Sequence, residues 1–133
     1  MQDTILVNIV ADHTFECATN IIGRAGEAGT ARFEIILTEN MSDCSAYLDF
    51  EKPNGEQLRS SKMNIVNNVI TYNLPAYLLT ESGELKVQLV LEKDNGIVWK
   101  SSVKKFTIID GINGTDEIPI IKILEYDGTV IIS

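Results

Sequence analysis

The single histidine is the first residue to test for catalytic chemistry. His13 follows Asp12, and an imidazole held by a carboxylate can act as a general base for a nucleophile. The nucleophile would be Cys17, Cys44 or a serine, but no nucleophile elbow accompanies the histidine in the sequence. A loop position explains His13 better, so we expect no catalytic role for it.

Carboxylates are numerous enough to supply a glycosidase-like pair. Asp49, Glu51 and Glu92, however, fall where strand alternation places side chains in solvent. An enzymatic role would rest on these spare carboxylates alone, so we predict that the chain is not an enzyme. Residues 94–96, with the sequence DNG, lack the other ligand positions of a calcium loop. The sequence therefore predicts no metal and no other cofactor.

Two further groups of side chains are candidates for binding. Trp99, Tyr47 and Tyr72 could form a platform on which sugar rings stack, although packing in a core or on a sheet face is the more common role of such residues. The second group is a small basic spot of Lys100, Lys104 and Lys105. Lysines in this setting commonly protect the edge of a sheet, and we interpret them in this way.

Composition narrows the choice of partners. The chain has 133 residues, which suits one domain. Its formal net charge of −8 repels polyanions such as nucleic acid and disfavours an anionic membrane surface. No apolar run approaches the roughly 20 residues that span a bilayer, and the N-terminus lacks the features of a secretion signal. We expect no nucleic-acid or membrane partner, synthesis in the cytosol, and free thiols at Cys17 and Cys44.

A long β-hairpin between Gly83 and Ile109 is the central predicted element. Its first strand alternates apolar and polar residues, with Leu85, Val87, Leu89 and Leu91 on the inner face. Residues 94–96 then allow the chain to reverse. The predicted inner residues of the return are Ile97, Trp99, Val103, Phe106 and Ile108. They change from odd to even numbers, so we predict a β-bulge near Lys104 and Lys105.

Shorter strands and turns fill the chain before this hairpin. Thr4 to Val10 alternates as a strand, and Thr14 to Ile22 is either a second strand or the other half of a bent first one. The glycine-rich stretch 23–29 reads as a surface loop, and a strand rather than a helix follows it, which excludes a phosphate cradle. The remaining predicted inner residues are Ala31, Phe33, Ile35 and Leu37, then Ala46, Leu48 and Phe50, then Ile70, Tyr72 and Leu74.

Turn residues mark the boundaries of these strands. Residues 53–55, with the sequence PNG, close a hairpin before a short polar edge strand from Glu56 to Ser60. Asn67 and Asn68 suit a tight two-residue turn. Pro75 then ends a strand, and Ala76 to Thr80 is long enough for one helical turn, which we interpret as a short crossover between two sheets.

The C-terminal segment is predicted to form a second hairpin. We divide the chain into a domain at 1–110, a linker at 111–117 and a hairpin at 118–133. Apolar residues occupy both faces of this hairpin, and such a hairpin requires a covering surface. The predicted interface residues are Ile118, Ile120, Ile121, Ile123, Leu124, Tyr126, Val130 and Ile132.

A strand and a turn signal recur about every ten residues, without a convincing long helix. The predicted fold is all-β, an antiparallel immunoglobulin-like β-sandwich with a short C-terminal β-hairpin extension. Cys17 and Cys44 are too close in sequence, and Trp99 follows both, for the cysteine and tryptophan spacing of true immunoglobulin domains. The likeness to immunoglobulins is therefore one of architecture.

Three segments carry a resemblance to a known family. They read GEAGTARFEIILTENM, CSAYLDFEKPNGEQL and NVITYNLPAYLLTESGELKVQLVLEKDNGIVWKSSVKKFTI. Together they resemble the N-terminal domain of the phage baseplate upper protein family, in which a Gly-Asp/Glu loop enters a strand, a strand ends in Lys-Pro-Asp/Asn-Gly, and a long hairpin follows a short Leu-rich turn. The resemblance covers about residues 1–110.

This resemblance implies a structural subunit of a phage or prophage tail. The expected role is to join the tail tip to receptor-binding elements through contacts with other baseplate and tail proteins, without catalysis. The expected location is the virion tail, after synthesis in the bacterial host cytoplasm, and a homotrimer would suit tail symmetry. The alternative is a carbohydrate-binding β-sandwich module, which would need exposed aromatic residues aligned on one sheet.

Overall fold

The computed structural model describes residues 3–27, 31–94, 96–111, 123–126 and 129–132, the last two segments by their backbone. These residues form thirteen strands and two short 3₁₀ segments, Ala11–His13 and Ala76–Leu79. The strands are β1 (Asp3–Val10), β2 (Thr14–Glu16), β3 (Ile21–Arg24), β4 (Ala31–Leu37), β5 (Ser45–Glu51), β6 (Gln57–Arg59), β7 (Met63–Asn64), β8 (Val69–Asn73), β9 (Gly83–Lys93), β10 (Gly96–Lys100), β11 (Lys104–Ile109), β12 (Ile123–Tyr126) and β13 (Thr129–Ile132).

Two sheets make up a sandwich. The first has the strand order β2-β1-β4-β8. The second has the order β3-β11-β9-β5-β6, with β10 also pairing with β9 and β7 also pairing with β5. The prediction of an all-β sandwich is confirmed.

The inner faces of the two sheets share one hydrophobic core. Three phenylalanines lie at its centre: the ring centroids of Phe33 and Phe106 are 5.5 Å apart, and Phe15 packs edge-on against both. Strand alternation identified most of this core, because each buried side chain is followed by one that faces outward. The predicted residues found buried are Ala31, Phe33, Ile35, Leu37, Ala46, Leu48, Phe50, Ile70, Leu74, Leu85, Val87, Leu89, Leu91, Phe106 and Ile108.

Both sheets are mixed, whereas the sequence predicted antiparallel pairing. β1 pairs in parallel with β4, and β3 pairs in parallel with β11. The predicted stretch from Thr14 to Ile22 is in fact two strands, β2 in the first sheet and β3 in the second. The chain crosses to the second sheet between β2 and β3 and returns to the first sheet at β4, which lies beside β1 in the same direction. β3 also includes Gly23 and Arg24, which were predicted to begin a loop.

The central hairpin has the predicted extra residue, but at an earlier position. Lys100 pairs with Val90, and Lys104 pairs with Val87. The return strand therefore advances four residues while β9 advances three. The extra residue lies within 101–103 rather than at Lys104 and Lys105. The register also shifts between Ile97 and Trp99.

These irregularities change which side chains are buried. Ile97 and Val103 were predicted to face inward, yet they are 52% and 49% exposed. Val90, predicted on the solvent face, is fully buried. It pairs with Tyr47 on one side and Lys100 on the other, so it lies between two neighbouring strands.

Turns and the crossover follow the prediction. Asn67 and Asn68 have φ values of 50° and 62°, the left-handed conformation that a tight hairpin turn requires. Gly55, with φ at 90°, completes the turn between β5 and β6, and β6 is an edge strand. The 3₁₀ segment Ala76–Leu79 connects β8 in the first sheet to β9 in the second.

The C-terminal hairpin is present in the backbone, where β12 and β13 pair antiparallel. Except for Gly111, the predicted linker at 111–117 lies outside the described residues. Cys17 and Cys44 are both free thiols, and Cys44 is buried while Cys17 is partly exposed. Among the described residues, no helix is long and apolar enough to cross a membrane.

Candidate functional site

His13 has a packing role. Its ring stacks on the indole of Trp99, with centroids 4.0 Å apart and planes 11° from parallel. Its backbone carbonyl accepts a hydrogen bond from the amide of Ser102. His13 thus links the 3₁₀ segment of the first sheet to the return strand of the second. Burial raises the pKa of the Cys44 thiol, which disfavours the thiolate that a nucleophile requires.

Two of the three candidate carboxylates, Asp49 and Glu51, belong to ion pairs on the outer face of the second sheet. Asp49 accepts two hydrogen bonds from the Arg59 guanidinium, at 2.6 and 2.9 Å. Glu51 accepts a hydrogen bond from the Gln57 amide at 2.9 Å and lies 3.1 Å from the Lys86 ammonium. These two partners lower the pKa of Glu51. In the part of the chain that the structure describes, no group of three or more histidine, cysteine or acidic residues could hold a metal ion.

The three aromatic residues considered as a sugar platform lie in separate environments. Trp99 stacks on His13, and Tyr72 stacks on Phe50 with centroids 5.9 Å apart. Tyr47 lies on the outer face of the second sheet beneath the Arg59 guanidinium, 5.2 Å from the ring centroid. The three rings do not align on one sheet, and packing, which the sequence favoured for them, describes the contacts of Trp99 and Tyr72.

The lysines of the predicted basic spot have different surroundings. The Lys104 ammonium donates to the carbonyl of Cys17 and to the side chain of Asn20, at 3.2 and 2.9 Å. It thereby fastens the segment between β2 and β3 to β11. Lys105 pairs directly with Lys86 across the strands, and Lys100 lines a groove on the same sheet.

This groove, which we call the outer groove, brings several of these side chains together. It has a volume of about 470 Å³ and lies across β5, β6 and β9 on the outer face of the second sheet. Its polar lining consists of Asp49, Glu51, Gln57, Arg59, Lys86 and Gln88. Lys100 and Val103 border it on the side of the central hairpin.

Two serines hold the strands on either side of the groove. Ser101 donates its amide hydrogen to the carbonyl of Leu89, and its hydroxyl accepts the Leu89 amide at 2.9 Å. Ser60 makes the same two bonds to Leu48, also with a hydroxyl distance of 2.9 Å. Each serine lies where regular strand pairing is interrupted, after β10 for Ser101 and after β6 for Ser60. Leu48 and Leu89 are paired residues of β5 and β9. The two interruptions therefore lie at equivalent positions on opposite sides of the β5–β9 pair.

At both interruptions the outer strand has one residue more than the strand it pairs with. Arg59 pairs with Asp49 and Met63 pairs with Ala46, so four steps again match three, as in the central hairpin. Sequence analysis missed this relation, although a signal was present. Arg59 and Lys100 are each followed by two serines, and serine side chains readily replace a backbone partner where a strand is broken.

A buried lysine lies at the turn between β5 and β6. Lys52 is 5% exposed, and its ammonium lies 2.8 Å from the Thr80 hydroxyl and 4.0 Å from the ring centroid of Tyr77. Glu56 is 3.8 Å from the ammonium and accepts a hydrogen bond from the Tyr77 hydroxyl, which raises the pKa of Tyr77. These contacts fasten the turn to the crossover, and strand patterning gave no sign of them.

The predicted interface residues lie partly outside the described residues. Ile118, Ile120 and Ile121 are outside them. The other members belong to the C-terminal hairpin, and the pairing of its backbone places Ile123 opposite Ile132. Within the same hairpin are Leu124, Tyr126 and Val130. Their role in an interface stays a prediction.

Comparisons with known proteins identify the fold. No protein-family model matches the sequence, and no curated protein matches it. Among solved structures, the chain is similar to the N-terminal domain of phage TP901-1 ORF48, with a TM-score of 0.51 and 12% sequence identity. The similarity covers 82% of this chain and 97% of that one. The two chains therefore share a fold, and the resemblance to the N-terminal domain of a phage protein is confirmed.

Proposed function

We propose that this chain is a structural component of a phage or prophage tail baseplate. In this role it joins the tail tip to receptor-binding elements through contacts with other tail proteins. The observation that carries the proposal is the fold shared with a phage domain over 97% of that domain's length. The sequence resemblance to the baseplate upper protein family supports it independently, through the motifs of three segments within residues 1–110.

The geometry of the sandwich suits a docking module. β1 begins at Asp3, which pairs with Ala31, and β11 ends at Ile109, which pairs with Arg24. Arg24 and Ala31 flank the same loop, so β1 begins and β11 ends at one end of the sandwich. The polar side chains described above serve ion pairs and packing, and the proposal assigns the chain no catalytic activity.

The C-terminal hairpin supplies the assembly contact in this proposal. Its apolar residues include Ile120, Ile121, Leu124 and Val130, and a two-stranded hairpin is marginally stable without further packing. Burial of these residues against another copy or a neighbouring subunit would stabilise both. A trimer fits the symmetry of tails, and the proposal includes synthesis in the host cytoplasm before assembly into the virion.

The assembly contact is tested by Ile121→Asp together with Leu124→Asp. We expect this pair to convert an oligomer to a monomer in multi-angle light scattering, because each carboxylate would lose its hydration on burial. Val66→Asp is the matched control, since Val66 is 64% exposed on the sandwich and its substitution should leave the mass unchanged. An unchanged mass in the double variant would show that the hairpin does not form the interface.

The tail location is tested on particles. An antibody raised against the purified chain is expected to label the tail tip of virions released from the host strain, as seen by immunogold electron microscopy. Antibody absorbed with the chain is the control. Labelling of capsids, or of no part of the particle, would contradict the proposal.

A further inference from the structure

The outer groove has a nearly balanced charge on a strongly acidic protein. The whole chain carries −8, yet the groove is lined by two carboxylates, Asp49 and Glu51, and three cations, Arg59, Lys86 and Lys100. Both carboxylates are paired with cations inside the groove. A charged ligand would therefore meet one attractive and one repulsive partner at each ion pair. A neutral ligand meets no such opposition.

The ion pairs leave many hydrogen-bonding atoms unused. The Arg59 guanidinium has five N–H donors, of which Asp49 accepts from Nε and Nη2. The Gln57 amide donates through Nε2 to Glu51, so its carbonyl oxygen is available as an acceptor. The Gln88 amide donates to the carbonyl of Ser101 at 2.8 Å, which leaves its oxygen and second hydrogen available. The groove thus presents both donors and acceptors.

The mutual bonds also fix these groups in place. Arg59 and Asp49 form a two-point contact, and Gln88 is held against the serine interruption. Groups that are ordered before binding lose little conformational entropy when a ligand arrives. The groove volume of about 470 Å³ is within the usual range for small-molecule sites.

We propose that the outer groove binds a neutral saccharide. A sugar hydroxyl is both a donor and an acceptor, so one hydroxyl can donate to Asp49 while accepting from Arg59, and the same arrangement recurs at Glu51 and Lys86. The exposed side chain of Val103 offers an apolar contact for the sugar carbons. This site differs from the aromatic platform that was considered from the sequence, and it does not depend on the phage role.

The test uses a printed array of neutral and acidic oligosaccharides as the probe. Wild-type chain, detected by antibody, is expected to bind neutral members. In NMR titrations with the strongest of these, the side-chain amide signals of Gln57 and Gln88 are expected to shift. Asp49→Ala with Arg59→Ala should weaken binding about tenfold or more, the effect of losing a charge-assisted hydrogen bond.

The matched control removes a similar ion pair at the other end of β9. Asp43 and Lys93 are 3.0 Å apart and exposed, and Asp43→Ala with Lys93→Ala should leave binding unchanged. Gln57→Ala, which removes an exposed side chain, gives a second groove variant if the first fails to fold. The proposal is overturned if no neutral oligosaccharide is bound, if acidic ones are preferred, or if the groove variants bind like wild type.

Discussion

Replacing Ser101 with alanine should show how much its hydroxyl contributes to the stability of the second sheet, where regular strand pairing is interrupted. The hydroxyl of Ser101 accepts the amide hydrogen of Leu89, and both residues are buried, Ser101 being 3% exposed. Ser101→Ala leaves that amide hydrogen without its partner where water has little access. Ser60 makes the equivalent bond to Leu48 but is partly exposed, so water can replace its hydroxyl.

The magnitudes follow from this difference in burial. A buried donor left without a partner costs about 1–3 kcal/mol, and we expect Ser101→Ala to lower the free energy of unfolding by about 2 kcal/mol. With a urea m-value of about 2 kcal/mol/M, the midpoint falls by about 1 M. Ser60→Ala should cost about 0.5–1 kcal/mol. Ser61→Ala is the control, because the Ser61 side chain is exposed, and its effect should stay within about 0.5 kcal/mol.

The assay is urea unfolding followed by fluorescence of Trp99, the single tryptophan. Amide hydrogen exchange of Leu89 provides a local readout, and its exchange should quicken in Ser101→Ala beyond the change in global stability. Equal costs at Ser101 and Ser60 would refute the reasoning from burial. A cost at Ser101 no larger than at Ser61 would show that the hydroxyl does not support the strand.

Three further predictions test other parts of the structure. A Cβ on Gly111 would overlap a main-chain oxygen of the neighbouring loop, whereas a Cβ on Gly23 would meet mainly a movable side chain. Gly111→Ala should therefore lower the free energy of unfolding in urea by about 1–3 kcal/mol. Gly23→Ala should lower it clearly less. The lowered pKa of Glu51 means that its stabilising contribution is present above the ordinary value of 4.5 and is lost as pH falls through the folded pKa. Glu51→Gln should make the acid loss of stability shallower in unfolding curves measured from pH 6 downward, and an unchanged acid limb would contradict this. His13→Ala removes the ring stacked on Trp99, so it should cost about 0.5–1.5 kcal/mol and shift the tryptophan emission to the red, and an unshifted spectrum would argue against the stack.

Strand alternation predicted the inner faces because it depends on local geometry alone. Phe33 and Ile35 in β4, or Leu48 and Phe50 in β5, are buried as a period of two requires. Turn chemistry worked for the same reason, since Asn67 and Asn68 adopt positive φ wherever a tight turn needs it. These features are set by residues that are neighbours in sequence.

The pairing of strands that are distant in sequence could not be predicted from local patterns. The parallel pairs β1 with β4 and β3 with β11 depend on where the chain changes sheets, and no local pattern records that. The exposed Ile97 and Val103 were assigned to the interior because a single register was assumed along the return strand. Two shifts in register, one at Ile97 and one within 101–103, move them outward.

The outer groove could not be predicted from the sequence for a related reason. Its residues come from β5, β6 and β9, and each carboxylate taken alone is an ordinary solvent-facing residue of a strand. Only the pairing of Asp49 with Arg59 in the sheet, and of Glu51 with Lys86, turns separate charges into a balanced surface.

The distribution of charge also limits how copies of the chain assemble. Because the groove is lined by two carboxylates and three cations, the excess of negative charge lies elsewhere on the molecule, and copies brought together must overcome mutual repulsion. Ion pairs between identical acidic surfaces cannot supply that attraction, whereas burial of apolar side chains can, since it does not depend on sign. In the proposed assembly the apolar residues of the C-terminal hairpin would supply this burial, and screening by salt should favour the contact by reducing the repulsion.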